Sequence, residues 1–91
     1  MESIGTVYTF AIGKPATVRS VAQALTRLGI QGATILPAVG FWKGERERSV
    51  YVHIAGLDDA SANAIAMSLR RTFKQEAIYV EARGEAFLVA A

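Results

Sequence analysis

The chain carries no cysteine, which excludes disulfides and thiolate metal sites and leaves nothing that points to an oxidising compartment. It carries one histidine. With no thiol and no second imidazole to help it, His53 reads as a hydrogen-bonded core or interface residue rather than as a metal ligand. No apolar run approaches the ~18–20 residues of a membrane span. The opening segment, "MESIGTVYTF", has no basic stretch followed by an apolar one, so no signal peptide is expected and the expected compartment is the cytoplasm. Net charge is also scarce. Ten Lys and Arg against eight Asp and Glu leave +2, and the basic residues are dispersed, so neither nucleic-acid nor membrane binding is implied. No Ser-His-Asp or Cys-His set can be assembled, and Gly5, Gly13, Gly29 and Gly32 do not form a phosphate loop. No metal and no cofactor is expected.

What is present is apolar. Hydrophobic residues make up 52% of a chain of only 91 residues. That length suits one domain, residues 1–91, with a thin core, because a domain this small buries only roughly 60–65% of its unfolded surface. So much apolar material on so small a body is a first sign of self-association.

The periodicity gives the elements. "TVYTFAIG", Thr6 to Gly13, is β-branched and aromatic and reads as a strand buried on both faces. "KPATVRSVAQALTRLG" reads as a helix, with Pro15 in its first turn, an apolar stripe of Val18, Val21, Ala22, Leu25 and Leu28, and Gly29 as its stop. Gln31 to Gly40 reads as a second strand, placed at an edge or bulged because Pro37 donates no ladder hydrogen bond. "RSVYVHIAG" is a third strand, with Val50, Val52 and Ile54 on one face and Tyr51 and His53 on the other. "LDDASANAIAMSLRRTF" is a second helix, capped by Asp58 or Asp59, with a stripe of Ala62, Ile65, Ala66, Leu69 and Phe73 and basic residues near its end. "EAIYVEA" is a fourth strand. "RG" then reads as a turn into "EAFLVA", a short fifth strand or a hairpin extension.

This order, βαββαβ with an added C-terminal strand, is the α+β ferredoxin-like pattern: an antiparallel sheet with both helices on one face. Two helices cover one face only. The other face is expected to show Tyr51, His53 and Tyr79, with residues of the first strand between them. A semi-polar aromatic patch of this kind marks an interface or a ligand surface. A sheet-to-sheet homo-oligomer follows as the expectation.

The densest chemistry lies in "GFWKGERERSV", Gly40 to Val50, read as a loop between the second and third strands. Gly40 and Gly44 permit sharp turns. Phe41 and Trp42 call for a cover, from a neighbouring subunit or a ligand. If the third strand begins early, Glu45 and Glu47 share one face and Arg46 and Arg48 the other. A carboxylate beside an aromatic ring suits an organic cation, through charge and a cation–π attraction of ~0.5–2 kcal/mol. Alternating Glu and Arg is equally an ordinary protection of an exposed strand edge against pairing. Gln75, Glu76 and Tyr79, at the start of the fourth strand, are candidates to face this loop across an oligomer seam.

The segments "GFWKGERERSVYVHI" and "FKQEAIYVEARGEAFLV", together spanning Gly40 to Val89, resemble those of the small phage-encoded enzymes that degrade S-adenosylmethionine. The architecture is also similar to the wider PII-like group of trimeric ferredoxin-like proteins, which bind nucleotides in clefts between subunits. The resemblance implies a homotrimer whose sheets pack together, a substrate pocket between subunits, and a host cytoplasm as the site of action. It also implies an essential glutamate near the start of the third strand. Glu47 matches best and Glu45 competes. Phe41, Trp42, Gly44, Glu45, Tyr51 and Tyr79 are the candidates for substrate binding. The implied reaction is displacement of methylthioadenosine by the substrate's own carboxylate, giving homoserine lactone. Two alternatives stand beside it: a PII-like nucleotide-binding or regulatory protein without catalysis, and a small phage structural or partner-binding protein.

Overall fold

The structure, a computed structural model, describes residues 1–89, the side chain of Trp42 excepted. The elements run β1 (Glu2–Gly13), α1 (Val18–Arg27), β2 (Thr34–Trp42), β3 (Glu45–Leu57), α2 (Asp59–Thr72) and β4 (Tyr79–Leu88). The four strands form one antiparallel sheet in the order β2-β3-β1-β4. The fold is α+β with the βαββαβ order of the ferredoxin-like class. Among the described residues, no helix is long and apolar enough to cross a membrane.

Alternation along the strands sorts the side chains. Tyr8, Phe10 and Ile12 of β1 and Val50, Val52 and Ile54 of β3 point toward the helices and are buried. Val21, Ala24 and Leu25 of α1, with Ala62, Ile65 and Leu69 of α2 and Phe73 beyond it, close over them. The stripe of α1 thus centres on Ala24. Val18 and Leu28, expected in it, lie partly exposed at the two ends of the helix, where the sheet no longer faces them. β1 is buried on the helix side as expected, but on its other side only Thr9 is fully buried.

The helix ends carry their own hydrogen bonds. Thr17 caps α1: its hydroxyl accepts from the Ser20 N–H at 3.0 Å, and the Ser20 hydroxyl accepts from the Thr17 N–H at 2.8 Å. This reciprocal box satisfies two of the donors left over at a helix start. Pro15 therefore lies in the turn before the cap, not in the first helical turn. Asp58 caps α2, accepting from the Ser61 N–H at 2.7 Å, and this bond holds its carboxyl below the usual carboxylate range. The Tyr8 hydroxyl reaches over to donate to the Asp59 carboxylate, which pushes the Tyr8 phenol up.

Two expectations change. The segment from Gly40 to Val50 is not a loop. Trp42 pairs with Glu45 across the two residues Lys43 and Gly44, whose φ angles are +50° and +78°. Positive φ at both central positions is the signature of a type I′ turn, whose twist matches the flanking strands. The β2–β3 hairpin therefore runs straight out to its tip. There is also no separate fifth strand among the described residues. β4 continues through Arg83 and Gly84, and the register slips there, so that Tyr8 faces Ala82 while Val7 faces Gly84. Gly84, with φ of +100°, absorbs the extra residue as a bulge rather than a reversal. Ala90, the last residue of the expected fifth strand, lies outside the described residues.

Candidate functional site

The side of the sheet away from the helices is uncovered. Strand pairing sets residues on it in rows. Thr34, His53, Thr9 and Glu81 make one row across β2, β3, β1 and β4; Leu36, Tyr51, Ala11 and Tyr79 make the next; Ala38, Ser49 and Gly13 make the third; Gly40 and Glu47 make the last. The small residues Thr9, Ala11 and Gly13 of β1 lie between the larger Tyr51 and Glu47 of β3 and Tyr79 and Glu81 of β4. The result is a concavity of about 450 Å³, open to solvent, with a floor that includes Ala11, Gly13 and Ser49, and walls that include Glu47, Tyr51 and Tyr79. That volume lies in the ~300–1,000 Å³ range of small-molecule sites.

The sequence candidates divide accordingly. Glu47, Tyr51 and Tyr79 converge on one concavity within a single chain. Glu45 shares the face of Glu47, two residues nearer the tip, and Arg46 and Arg48 spring from the other face, as the alternation predicts, although Arg48 also reaches the rim of the concavity. Gly44 forms the turn itself. Phe41 is directly opposite Arg46, so it lies on the helix side of the hairpin and not with Glu47, and it is 74% exposed. The candidate side chain of Trp42 lies outside what is described.

Polar contacts stiffen the β4 wall. The Tyr79 hydroxyl donates to Glu81 Oε2 at 2.8 Å, and Arg83 Nη1 donates to Glu81 Oε1 at 2.7 Å. The bond from Tyr79, and then that from Arg83, hold the Glu81 carboxyl below its ordinary value, while the same carboxylate pushes the Tyr79 phenol up. Arg83 is thereby committed to Glu81. At the centre of the face, Thr9 Oγ1 and His53 Nδ1 share a hydrogen at 2.8 Å, and the Tyr51 and His53 rings meet edge to face at 6.5 Å. His53 is a half-buried, hydrogen-bonded surface-of-sheet residue.

Gln75 acts at the other end of the concavity. Its Oε1 accepts from the Gly13 N–H at 3.1 Å, and its Nε2 donates to the carbonyls of Lys14 at 2.7 Å and Phe73 at 3.0 Å. One side chain thus ties the α2–β4 connection to the end of β1. A Cβ on Gly13 would stand 3.0 Å from Gln75 Oε1, so a side chain there would press on the Gln75 amide. Gln75, a candidate with Glu76 and Tyr79 to face the hairpin across an oligomer seam, makes these three bonds within its own chain. The floor residues and Glu81 were not singled out from the sequence. Only strand register identifies them, because small residues carry no chemical signal of their own.

No family model matches the chain, and no curated protein matches it. Among solved structures it is similar to a phage SAM lyase in its apo state, with a TM-score of 0.63 and 23% identity, over 94% of this chain and 90% of that chain. The chain has the fold of that phage SAM lyase. At this identity the likeness is one of fold, and it extends over nearly the whole length of both chains.

Proposed function

We propose that this protein degrades S-adenosylmethionine in a pocket completed when copies join through their open sheet faces, with three copies favoured. The observation that carries the reading is the convergence of Glu47, Tyr51 and Tyr79 on one open concavity in a chain with the fold of a SAM lyase.

The chemistry asks little of the protein. The substrate's sulfonium is already an excellent leaving group. A carboxylate oxygen of the same molecule attacks the carbon γ to it, next to sulfur. The carbon–oxygen bond forms as the carbon–sulfur bond breaks, and the bonding pair stays on sulfur as neutral methylthioadenosine. The other product is homoserine lactone, still carrying its ammonium group. No proton moves, so no strong acid or base is needed. The protein holds oxygen, carbon and sulfur close and in line, and such positioning supplies much of an acceleration.

Glu47 is assigned the substrate's ammonium. Its carboxylate fixes that end of the molecule and leaves the substrate's own carboxylate free to react. Arg83, already engaged by Glu81, does not compete for that carboxylate. Tyr51 and Tyr79 are assigned to the sulfonium and the adenine, through ring faces that attract cations and stack on planar rings. Gly44 and Glu45, toward the end of the hairpin, are assigned to substrate contacts; Phe41, on the other side of the hairpin, is not.

The test is incubation of the purified protein with S-adenosylmethionine and chromatography for methylthioadenosine. Product formation that is lost in Glu47→Gln supports the reading. Unchanged substrate after prolonged incubation with folded protein removes the enzyme. A parallel thermal-shift series separates the alternatives, because a ligand at a hundred times its Kd adds about 2.7 kcal/mol. Stabilisation by ATP and not by S-adenosylmethionine or methylthioadenosine would assign the concavity to nucleotide binding without catalysis.

A further inference from the structure

Gln75 is held at both its backbone and its side chain. Lys74, with φ of +53°, ends α2 in the left-handed region. The Lys74 N–H turns back to the Arg71 carbonyl at 3.3 Å, and the Gln75 N–H to the Arg70 carbonyl at 2.9 Å. This pair of bonds is the Schellman closure of a helix end. The side-chain amide is fixed as well. The two hydrogens of Nε2 are engaged by the carbonyls of Lys14 and Phe73, so the oxygen is the atom turned toward Gly13. An amide oxygen accepts two hydrogen bonds. The Gly13 N–H supplies one, and no second donor reaches it among the described residues.

That oxygen stands on the open face. Gly13 alternates with the buried Ile12, and a Cβ on Gly13 would come within 3.0 Å of Gln75 Oε1. The amide oxygen thus takes the place that a side chain at position 13 would fill. Ser49 is directly opposite Gly13 on the same face, half-buried, and its hydroxyl makes no hydrogen bond among the described residues. Glu47 follows two residues further out along β3, opposite Gly40. Glycine on each partner strand leaves bare backbone beside these side chains. All three line the one concavity. A carboxylate, a hydroxyl and an amide oxygen therefore border the same floor. The cation at this end, Arg48, comes to the rim from the opposite face.

We propose that Gln75 Oε1 and the Ser49 hydroxyl complete, with Glu47, a subsite for the primary ammonium of the ligand. A primary ammonium points three N–H donors in three directions. One carboxylate balances its charge but does not surround it, and two neutral oxygens answer the donors that remain. An amide already fixed by three bonds of its own needs little further ordering on binding. The subsite rests on the reading of the concavity as an S-adenosylmethionine site, and it orients that substrate. The amino-acid end lies by Gly13 and the hairpin, and the sulfonium and adenine extend toward Tyr51 and Tyr79 in the next row. Gln75 is then a specificity-determining residue and not merely a tie between α2 and β1.

Two nucleoside sulfoniums test the subsite without turnover. Decarboxylated S-adenosylmethionine keeps the ammonium and lacks the attacking carboxylate. The dimethylsulfonium derivative of adenosine keeps the sulfonium and has no ammonium. Both are titrated calorimetrically into the full-length protein. Gln75→Met is expected to weaken the first about tenfold or more and the second less than about twofold, because a hydrogen bond to a charged group is lost. Ser49→Ala, which breaks no hydrogen bond of the fold, is expected to weaken the first about fivefold and spare the second. Gly13→Ala keeps Gln75 but presses its amide aside, and is expected to follow Gln75→Met. Equal losses for the two ligands would show that Gln75 is a tie alone and overturn the subsite. Unchanged affinities in Ser49→Ala and Gln75→Met would overturn it too. The enzyme fails separately: the expected losses with no methylthioadenosine formed from S-adenosylmethionine keep the subsite and remove the catalysis. Turnover with KM unchanged in all three variants removes the subsite and keeps the enzyme. A wild-type chain that binds neither sulfonium overturns both.

Discussion

The two faces of this sheet are built from the same strands and differ in every other respect. Toward the helices, alternate residues are uniformly apolar, and Phe10, Ile12, Val52, Val21 and Leu69 meet with no accessible surface left. On the open side the intervening residues are small, aromatic, hydroxylated and acidic in turn. Thr9 is sealed there by its neighbours, His53 and Glu81 are half-buried, and Tyr79 stands 61% exposed. The first face is finished by the chain itself. The second has hydrogen bonds, an ion pair and a shaped concavity, but no layer over it. Stability resides in one face, and recognition is proposed for the other.

The comparison breaks first at the core. Phe10→Ala is expected to cost about 3–5 kcal/mol, read from the urea midpoint, because it removes a fully buried ring and leaves a cavity. That is a large share of the stability of any small domain. A cost below about 1 kcal/mol would show that the helix side is not the stabilising face.

The counterpart on the open face is Glu47→Gln. It is expected to lower the formation of methylthioadenosine by about a hundredfold or more while leaving the melting temperature unchanged, since Glu47 is exposed and supports no packing. A fully active variant would move the role to Glu45. Next in size, Tyr51→Ala is expected to weaken association and ligand binding measurably, yet to change the stability of the isolated chain by only about 1 kcal/mol or less. Light scattering that finds a stable monomer at working concentration would remove the reading of the open face as an interface. Thr17→Ala, remote from both faces, is expected to cost about 1 kcal/mol through loss of the α1 cap.

The smallest effects are those of pH. The Asp58 and Glu81 carboxyls are held below their ordinary range in the fold, so the unfolded chain takes up protons first as the solution is acidified. Their contribution is complete above the ordinary carboxylate range and is lost as pH falls through the depressed values. Tyr79 has the opposite sign. Its phenol is raised, so its contribution is complete below about pH 10 and is lost as pH rises through the raised value. Melting temperatures measured from neutral pH downward, with Asp58→Asn and Glu81→Gln beside the wild type, are expected to show a shallower acid loss in each variant.

Much of this was legible beforehand, for identifiable reasons. Period-two alternation in "VYVHI" assigns Val50, Val52 and Ile54 to one face and Tyr51 and His53 to the other, and the structure agrees. The stripe of α2 and a cap at Asp58 or Asp59 follow from helical spacing and from a short acidic side chain ahead of an apolar run, and the structure takes Asp58. Pro37 marks β2 as an edge strand or a bulged one, and it is an edge strand. The misreadings have a common cause. "WKGE" and "RG" look alike as glycine punctuation, yet Lys43 and Gly44 close a tight hairpin while Gly84 makes a bulge inside a continuous strand. A glycine announces an unusual backbone angle, but the partner strand decides whether the angle reverses the chain or merely kinks it.

By itself the sequence determined which residues alternate, which helix faces are apolar, and therefore that one sheet face would be left without a cover. Those are local periodicities, written in neighbouring residues. Only the tertiary structure decided that Glu47, Tyr51 and Tyr79 share one concavity, that Phe41 stands outside it, and that Gln75 ties β4's approach to the end of β1. Those depend on register between segments far apart in the chain, and a slip of one residue in any pairing would have carried each side chain to the opposite face.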